Sequence, residues 1–227
     1  MHNCSQRGMI LMKKHIVCFG DSNTHGYCAD PCDCADGGMR FNEDERWTSV
    51  LQKMLGDEYL VIEEGLSGRT AVFDDPLTEG LSGIEMITPV LMTHETVDLL
   101  IIMLGTNDTK ERFGCTAECI SLGMERLINK AKATQCWGRK GPDILLVCPP
   151  AIREQMEQST VAGVMGAGCA AKAAELPGFF RQTAERTGVR YLDAAECELN
   201  DIDHMHLTKK GHADLSGMIF DIIKGTV

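Results

Sequence analysis

Residues 98–109 read DLLIIMLGTNDT, and this stretch decides the class of fold. Its run LLIIML is apolar at every position, whereas a strand with one face in water alternates apolar and polar residues. Such a run predicts a strand buried on both sides, as in a parallel sheet that helices cover. The residues GTND follow directly, and ligands of such folds bind at the carboxyl ends of the strands.

Working outward from this stretch, four further segments predict strands of the same sheet. The five candidates are residues 15–20, 59–63, 98–104, 144–148 and 189–192. Apolar residues recur at helical spacing between them, as in ERWTSVLQKMLG. Pro89 predicts the start of a helix or a kink in it, and Thr208 is a suitable N-cap for the last helix. The alternation predicts an α/β domain with a parallel sheet covered on both faces.

Length and composition are those of one ordinary globular domain. The 227 residues are 44% hydrophobic and 24% charged. We expect a tail over residues 1–13 and a single domain over 14–227. The net charge of -11 disfavours nucleic acid as a partner. The apolar runs are too short to span a membrane, and no cleavable signal precedes the first strand, so a cytoplasmic location is expected.

Eleven cysteines raise the question of a metal site. Cys28, Cys32 and Cys34 lie close together in the sequence, with His25 nearby. Structural zinc usually needs four ligands, often as two spaced pairs, and no second close pair follows. Because no export signal is present, reduced thiols are expected. We therefore predict loop cysteines, with no metal and no organic cofactor.

Small and polar residues follow several strands of the predicted sheet. Ser22 follows the first strand, Gly68 the second and Asn107 the third, and the loop DIDHMH follows the fifth. A serine, a histidine, an aspartate and amide donors are the components of an acyl-transfer centre. Each residue taken alone has a plainer explanation, since serine and asparagine also form tight turns and helix caps. Their joint occurrence at one sheet edge favours the catalytic interpretation.

The blocks FGDSN, GLSGRT, LGTNDT and DHMHLT resemble, in order and separation, those of the SGNH (GDSL) hydrolase superfamily. The sequence is most similar to its arylesterase and acyltransferase-like branch, over residues 14–223. The resemblance implies a single-domain, three-layer α/β/α sandwich of flavodoxin-like type with a five-stranded parallel sheet. It also implies a homo-oligomer and a serine esterase that cleaves short-chain esters, acetyl or aryl, and also transfers acyl groups to alcohols.

The resemblance assigns the site residue by residue. Ser22 matches the nucleophile, and Asp203 and His206 match the Asp-x-x-His pair. Gly68 and Asn107 match the oxyanion donors, together with the Ser22 N–H. Chemistry agrees with these roles, since a serine hydroxyl needs a base to take its proton and an aspartate orients that base. The departure is Asn23, where many members have leucine.

A second Asp-x-x-His, formed by Asp201 and His204, overlaps the first. We favour Asp203 and His206 because HLTKKGH directly follows and begins the last helix. Beside the nucleophile, Asp21 is expected to have a structural role. The same role is expected of Asp108, and either aspartate could bond loop N–H groups. Arg69 could anchor its loop or face the substrate, and we favour the anchor.

The substrate pocket is expected between two loops, residues 29–45 and 151–168, both of which follow strand ends. Tyr27 either lines this pocket or packs in the core. The substrate is expected to be a small-molecule ester.

Three alternatives to a simple esterase are considered. A nucleotide or phosphate binder would need a glycine-rich phosphate loop, which GDSNTHG does not provide. A carbohydrate O-acetylesterase would use the same residues on an acetylated sugar. A non-catalytic ligand-binding module on the same fold is the third, and reaction with a fluorophosphonate probe separates it from the enzyme.

Overall fold

A computed structural model describes residues 12–34 and 38–225. Five parallel strands form one sheet in the order β2-β1-β3-β4-β5. They are β1 Lys14–Gly20, β2 Tyr59–Gly65, β3 Leu99–Met103, β4 Ile144–Cys148 and β5 Arg190–Asp193. The predicted strands and their parallel pairing are confirmed. Of the predicted tail over residues 1–13, residues 1–11 lie outside the described part of the chain.

Helices cover both faces of the sheet, as predicted. They are α1 Ser22–His25, α2 Trp47–Leu55, α3 Gly83–Thr93, α4 Ala117–Ala133, α5 Ala162–Met165, α6 Cys169–Thr187 and α7 Lys209–Lys224. One core cluster joins β-strand side chains to α3, α4 and α6. The other joins the opposite sheet face to α2 and α7. Every residue of β3 and β4 is buried, which explains their unbroken apolar runs.

Of the two alternatives for Pro89, the start of a helix is wrong. Pro89 lies inside the helix, which begins at Gly83. The first N–H groups of a helix lack partners within it, and here the Gly83 and Ile84 N–H groups donate to the carbonyls of Thr70 and Ala71. These partners belong to the loop after β2, so a tertiary contact sets the boundary. Thr208 does cap α7, accepting from the Gly211 N–H at 3.0 Å.

The strand order places one edge of the sheet in position to bind a ligand. The chain leaves β1 toward one side of the sheet and leaves β3 toward the other, which opens a crevice between these two strands. Doubly wound sheets bind their ligands in this crevice. Ser22 follows β1 and Asn107 follows β3, so both lie beside this crevice. Among the described residues, no helix is both long and apolar enough to cross a bilayer.

The amino end of α2 is held by a histidine from α7. The Trp47 N–H donates to His212 Nδ1 at 3.2 Å, while Arg46 at the N-cap position offers no side-chain cap. His212 is fully buried. Burial, together with the nearby positive charges of His206 and Arg46, lowers the pKa of His212 to about 3. The folded protein therefore holds this histidine neutral.

We expect His212 to make the protein sensitive to mild acid. Between the usual histidine pKa of 6.5 and about 3, the unfolded chain binds a proton that folded His212 refuses. The free energy of unfolding therefore falls as pH decreases through this range. His212→Asn keeps an acceptor for Trp47 and removes the titration. Urea unfolding at about pH 7 and about pH 5 should show a smaller loss in the variant, and an equal loss in both proteins would contradict the assignment.

Candidate functional site

Ser22 begins a single helical turn directly after β1. Asp21 caps this turn, its Oδ1 accepting from the Asn23 N–H at 3.0 Å. The turn ends at Gly26, whose φ of 85° is left-handed and favours glycine. The Gly26 and Tyr27 N–H groups both donate to the Ser22 carbonyl at 2.9 Å. These bonds hold the backbone of the turn at the edge of the sheet, and Ser22 is 5% exposed there.

The loop before α7 brings a histidine to this hydroxyl. His206 Nε2 lies 2.8 Å from Ser22 Oγ, and His206 Nδ1 lies 2.7 Å from Asp203 Oδ2. Asn200, which the sequence analysis did not single out, fixes the loop: its amide donates to Asp203 Oδ1 at 2.9 Å and to the His206 carbonyl at 2.8 Å. The three predicted residues Ser22, His206 and Asp203 thus form one hydrogen-bonded chain.

Asp203 is held as a carboxylate. Burial favours the neutral acid, but hydrogen bonds from His206 and Asn200 and from the Met205 N–H outweigh it and lower the pKa of Asp203 to about 2. A carboxylate in this position orients the ring, with Nδ1 carrying the proton and Nε2 free to accept one from Ser22. The pair formed by His206 and Asp203 therefore has the arrangement that general-base chemistry requires.

The three predicted oxyanion donors are Ser22, Gly68 and Asn107, each in a loop or turn after a strand. Gly68 has a φ of 88°, a conformation that other residues rarely adopt. Within the described part of the chain, the N–H groups of Ser22 and Gly68 donate to no protein acceptor. The Asn107 amide is 4% exposed and donates to Asp21 Oδ2 at 3.4 Å. The Asn107 amide thus lies beside Asp21, the neighbour of Ser22; that Gly68, Asn107 and the Ser22 N–H together bind an oxyanion stays a prediction.

Two buried side chains, those of Asp108 and Arg69, connect backbone segments next to the site. Asp108 accepts from the Ala71 N–H at 2.9 and 3.1 Å, which joins the loop after β3 to the loop after β2. Arg69 donates to the carbonyls of Gly20 (2.9 Å) and Glu64 and lies over the Phe19 ring. Burial raises the pKa of Asp108 to about 7 and that of Asp21 to about 6. Asp108 and Arg69 connect backbone segments, in agreement with their expected structural roles.

Among the described residues, the alternative pair, Asp201 and His204, makes no hydrogen bond with Ser22, whose hydroxyl bonds to His206. Asp201 is an exposed partner of Arg153, at 2.7 Å. His204 has a left-handed φ of 62°, and its carbonyl accepts from the Arg153 N–H. The Tyr27 ring contacts the His206 ring at a tilted angle of 48°, with the centroids 4.4 Å apart. Tyr27 thus contacts the catalytic candidate His206; that it lines the substrate pocket stays a prediction.

The cysteine loop is arranged as a small packing unit. Cys28 and Cys34 are buried with Phe41, and Cys28 Sγ donates to the Asp30 carbonyl at 2.9 Å, whereas Cys32 is exposed. Burial raises the pKa of Cys28 to about 12, so this thiol stays protonated. Over residues 12–34 and 38–225, no group of three His, Cys, Asp or Glu side chains is arranged to hold a metal ion.

The segment 151–168, one of the two expected pocket walls, packs against the histidine loop. Ile152, Met156 and Met165 share a buried cluster with Met205. Arg112 donates to the Val164 carbonyl at 2.7 Å and pairs with Asp75 at 2.9 Å. The segment is thus fastened beside His206. That it forms a wall of the substrate pocket stays a prediction, as does the same role for residues 29–45.

A groove of about 690 Å³ opens elsewhere, at the amino ends of the strands. Its lining includes Lys14 at the start of β1 and Arg190 at the start of β5. Parallel sheets place their chemistry at the opposite, carboxyl edge. The candidate site therefore lies at the carboxyl edge, where strands are followed by Ser22, Gly68 and Asn107, and not in this groove.

Comparisons with known proteins agree with this geometry. The family model of the GDSL-like lipase/acylhydrolase family matches residues 18–213. The M. smegmatis aryl esterase is 34% identical with a TM-score of 0.81, over 94% of this chain and 100% of its own. A carbohydrate acetylesterase from Sinorhizobium meliloti is 32% identical with a TM-score of 0.80, over 95% and 100%. A search among curated proteins found no significant match.

The family match covers most of the chain, and the five-stranded parallel sheet is that of these solved esterases. The predicted fold and the predicted family resemblance are therefore confirmed. The chain belongs to the GDSL-like lipase/acylhydrolase family and is a carboxylic ester hydrolase of the SGNH type.

Proposed function

We propose that the protein hydrolyses short-chain carboxylic esters through an acyl-enzyme on Ser22, with His206 as general base and acid and Asp203 as its orienting carboxylate. The observation that carries this proposal is the continuous chain from Ser22 Oγ through His206 to Asp203, with links of 2.8 and 2.7 Å. A nucleophile bonded to a base, and a base bonded to an orienting group, is the geometry of covalent acyl transfer.

In the first half-reaction, His206 Nε2 takes the proton of Ser22 while Oγ attacks the ester carbonyl carbon. The carbonyl oxygen becomes an oxyanion, which the Ser22 and Gly68 N–H groups and the Asn107 amide stabilise. The tetrahedral intermediate then collapses, the ester C–O bond breaks, and His206 gives its proton to the leaving oxygen. In the second half, His206 takes a proton from water while the water oxygen attacks the acyl carbon. The second tetrahedral intermediate collapses, the bond between the acyl carbon and Ser22 Oγ breaks, His206 returns its proton to Oγ, and the carboxylic acid leaves.

The Asn107 amide should matter for turnover more than for substrate binding. We expect Asn107→Ala to lower kcat by ~100- to 1,000-fold, because a donor aimed at the developing oxyanion acts mainly in the transition state. KM for p-nitrophenyl acetate should change little. Steady-state kinetics checks both parameters, and a KM effect without a kcat effect would place Asn107 in ground-state binding instead.

The substrate proposed first is an acetyl or aryl ester, on the likeness to the M. smegmatis aryl esterase. The likeness to the S. meliloti carbohydrate acetylesterase supports a second candidate, an O-acetylated sugar. A chain-length series of p-nitrophenyl esters, run beside a panel of acetylated sugars, compares the two by kcat/KM. A higher value for the sugars would favour the second candidate.

A fluorophosphonate probe tests the chemistry itself. It should label the wild-type protein at Ser22, as identified by peptide mass spectrometry, and leave Ser22→Ala unlabelled. Absence of labelling in the wild type would favour the non-catalytic binding module. Acyl transfer to alcohols, a homo-oligomeric state and a cytoplasmic location are further expectations from the family resemblance. Product analysis with added alcohol and the mass of the native protein in solution test the first two.

A further inference from the structure

Asn23 follows Ser22 in α1, and its side chain reaches the loop that carries His206. Its amide nitrogen donates to the Met205 carbonyl at 3.3 Å, and its amide oxygen accepts from the Leu207 N–H at 2.9 Å. The side chain is 2% exposed. Met205 and Leu207 are the two neighbours of His206 in the chain. One buried amide therefore holds the backbone on both sides of the histidine.

The pattern of these bonds is that of a strand pairing with its neighbour. In an extended segment, the carbonyl of one residue and the N–H two residues later point to the same side, and the Asn23 amide satisfies both. On the other side, the His206 carbonyl accepts from the Asn200 N–H at 2.9 Å and from the Asn200 amide at 2.8 Å. The backbone of the loop is thus bonded at three successive residues.

Because Asn23 is next to Ser22, its two bonds connect the nucleophile's turn to the His206 loop. Asn23 is adjacent to the nucleophile in a one-turn helix that Asp21 caps, so Asn23 and Ser22 have a fixed relation to each other. A leucine at this position would fill similar space but would make neither bond. The two bonds span 182 and 184 residues of sequence, and the contact between Ser22 and His206 spans 184.

We infer that Asn23 is a positioning residue, which sets the distance and orientation of His206 Nε2 relative to Ser22 Oγ. This inference rests on the proposed roles of Ser22 and His206. Asn23 acts through His206 and makes no contact with the substrate. A shift of ~1 Å at a reacting group can cost ~100-fold in rate. Since His206 serves both half-reactions, both should slow when its loop is released.

The test is Asn23→Leu, assayed with p-nitrophenyl acetate. We expect kcat to fall about 10- to 100-fold with KM within about two-fold of wild type. The rate of fluorophosphonate labelling should fall in parallel, since it needs the same base. In the His206→Ala background, Asn23→Leu should have no further effect on the residual turnover, because the group through which it acts is gone.

Ser216→Ala is the matched control. Ser216 is fully buried, and its hydroxyl donates to the Trp47 carbonyl at 2.9 Å, so it also joins distant parts of the chain, but between α7 and α2. Both variants should melt at a lower temperature than wild type, and only the Asn23 variant should lose turnover. If Asn23→Leu does not fold, Asn23→Ala takes its place in the same assays.

Three results would overturn the inference alone: unchanged kcat in a folded Asn23→Leu protein, a loss that lies entirely in KM, or an undiminished effect in the His206→Ala background. Turnover that persists in Ser22→Ala would overturn the proposed function and this inference together. Because Ser22→Ala is measured beside the Asn23 variants, the two kinds of failure are distinguishable.

Discussion

Ser22→Ala should reduce p-nitrophenyl acetate turnover by at least about 10,000-fold. Without Oγ no acyl-enzyme forms, and the remaining groups can at best assist direct attack by water. The backbone of the turn should be unchanged, since its bonds run through the Ser22 carbonyl and the Asp21 side chain. The variant should therefore fold normally and still bind substrate analogues.

The measurement combines steady-state rates with a melting curve and a pre-steady-state assay. Wild type should release a burst of nitrophenol if deacylation is the slower step, and Ser22→Ala should show none. Appreciable residual turnover in a pure, folded variant would show that another residue is the nucleophile, or that the reaction proceeds without an acyl-enzyme.

His206→Ala should be nearly as damaging, with a loss of about 10,000-fold, because Ser22 is then left without a base. Asp203 keeps its bonds from Asn200 and from the Met205 and His206 N–H groups, so the loop should persist. Added imidazole should restore part of the turnover by filling the vacated space. Such rescue would separate loss of the base from collapse of the loop.

His204→Ala is the matched control for this experiment, since it alters a histidine two residues away in the same loop. It should retain turnover within about three-fold, because Ser22 Oγ bonds to His206 and the His204 carbonyl, not its ring, accepts from the Arg153 N–H. His204→Gly, which suits the left-handed φ, should do the same with equal or greater stability. A collapse of activity in both His204 variants would mean that the wrong histidine has been assigned.

The sequence was sufficient to predict the sheet and the order of its loops. Unbroken apolar runs identify β3 and β4, because every residue in them is buried and no polar alternation is needed. The residues after β1, β2 and β3 were predictable as a group for a physical reason: parallel strands bring their carboxyl ends to one edge. The match of four ordered blocks to a family then gave the site residues their expected roles.

What the sequence did not reveal depends on contacts between distant segments. Pro89 left open whether it starts or kinks a helix, and the start at Gly83 is set instead by carbonyls of the loop after β2. The roles of Asn23 and Asn200 depend on the path of the loop before α7, which no local pattern encodes. Asparagine is common in turns, and its type alone does not distinguish a cap from a bridge across the site.

The nucleophile and its base enter the chain 184 residues apart. During synthesis the serine emerges early, while the aspartate and histidine follow only after the last strand has been made. With the proposed roles, a chain that ends before this loop has a serine hydroxyl without its base, and we expect it to lack esterase activity. Activity would then require the loop before α7 to dock against the turn that carries Ser22.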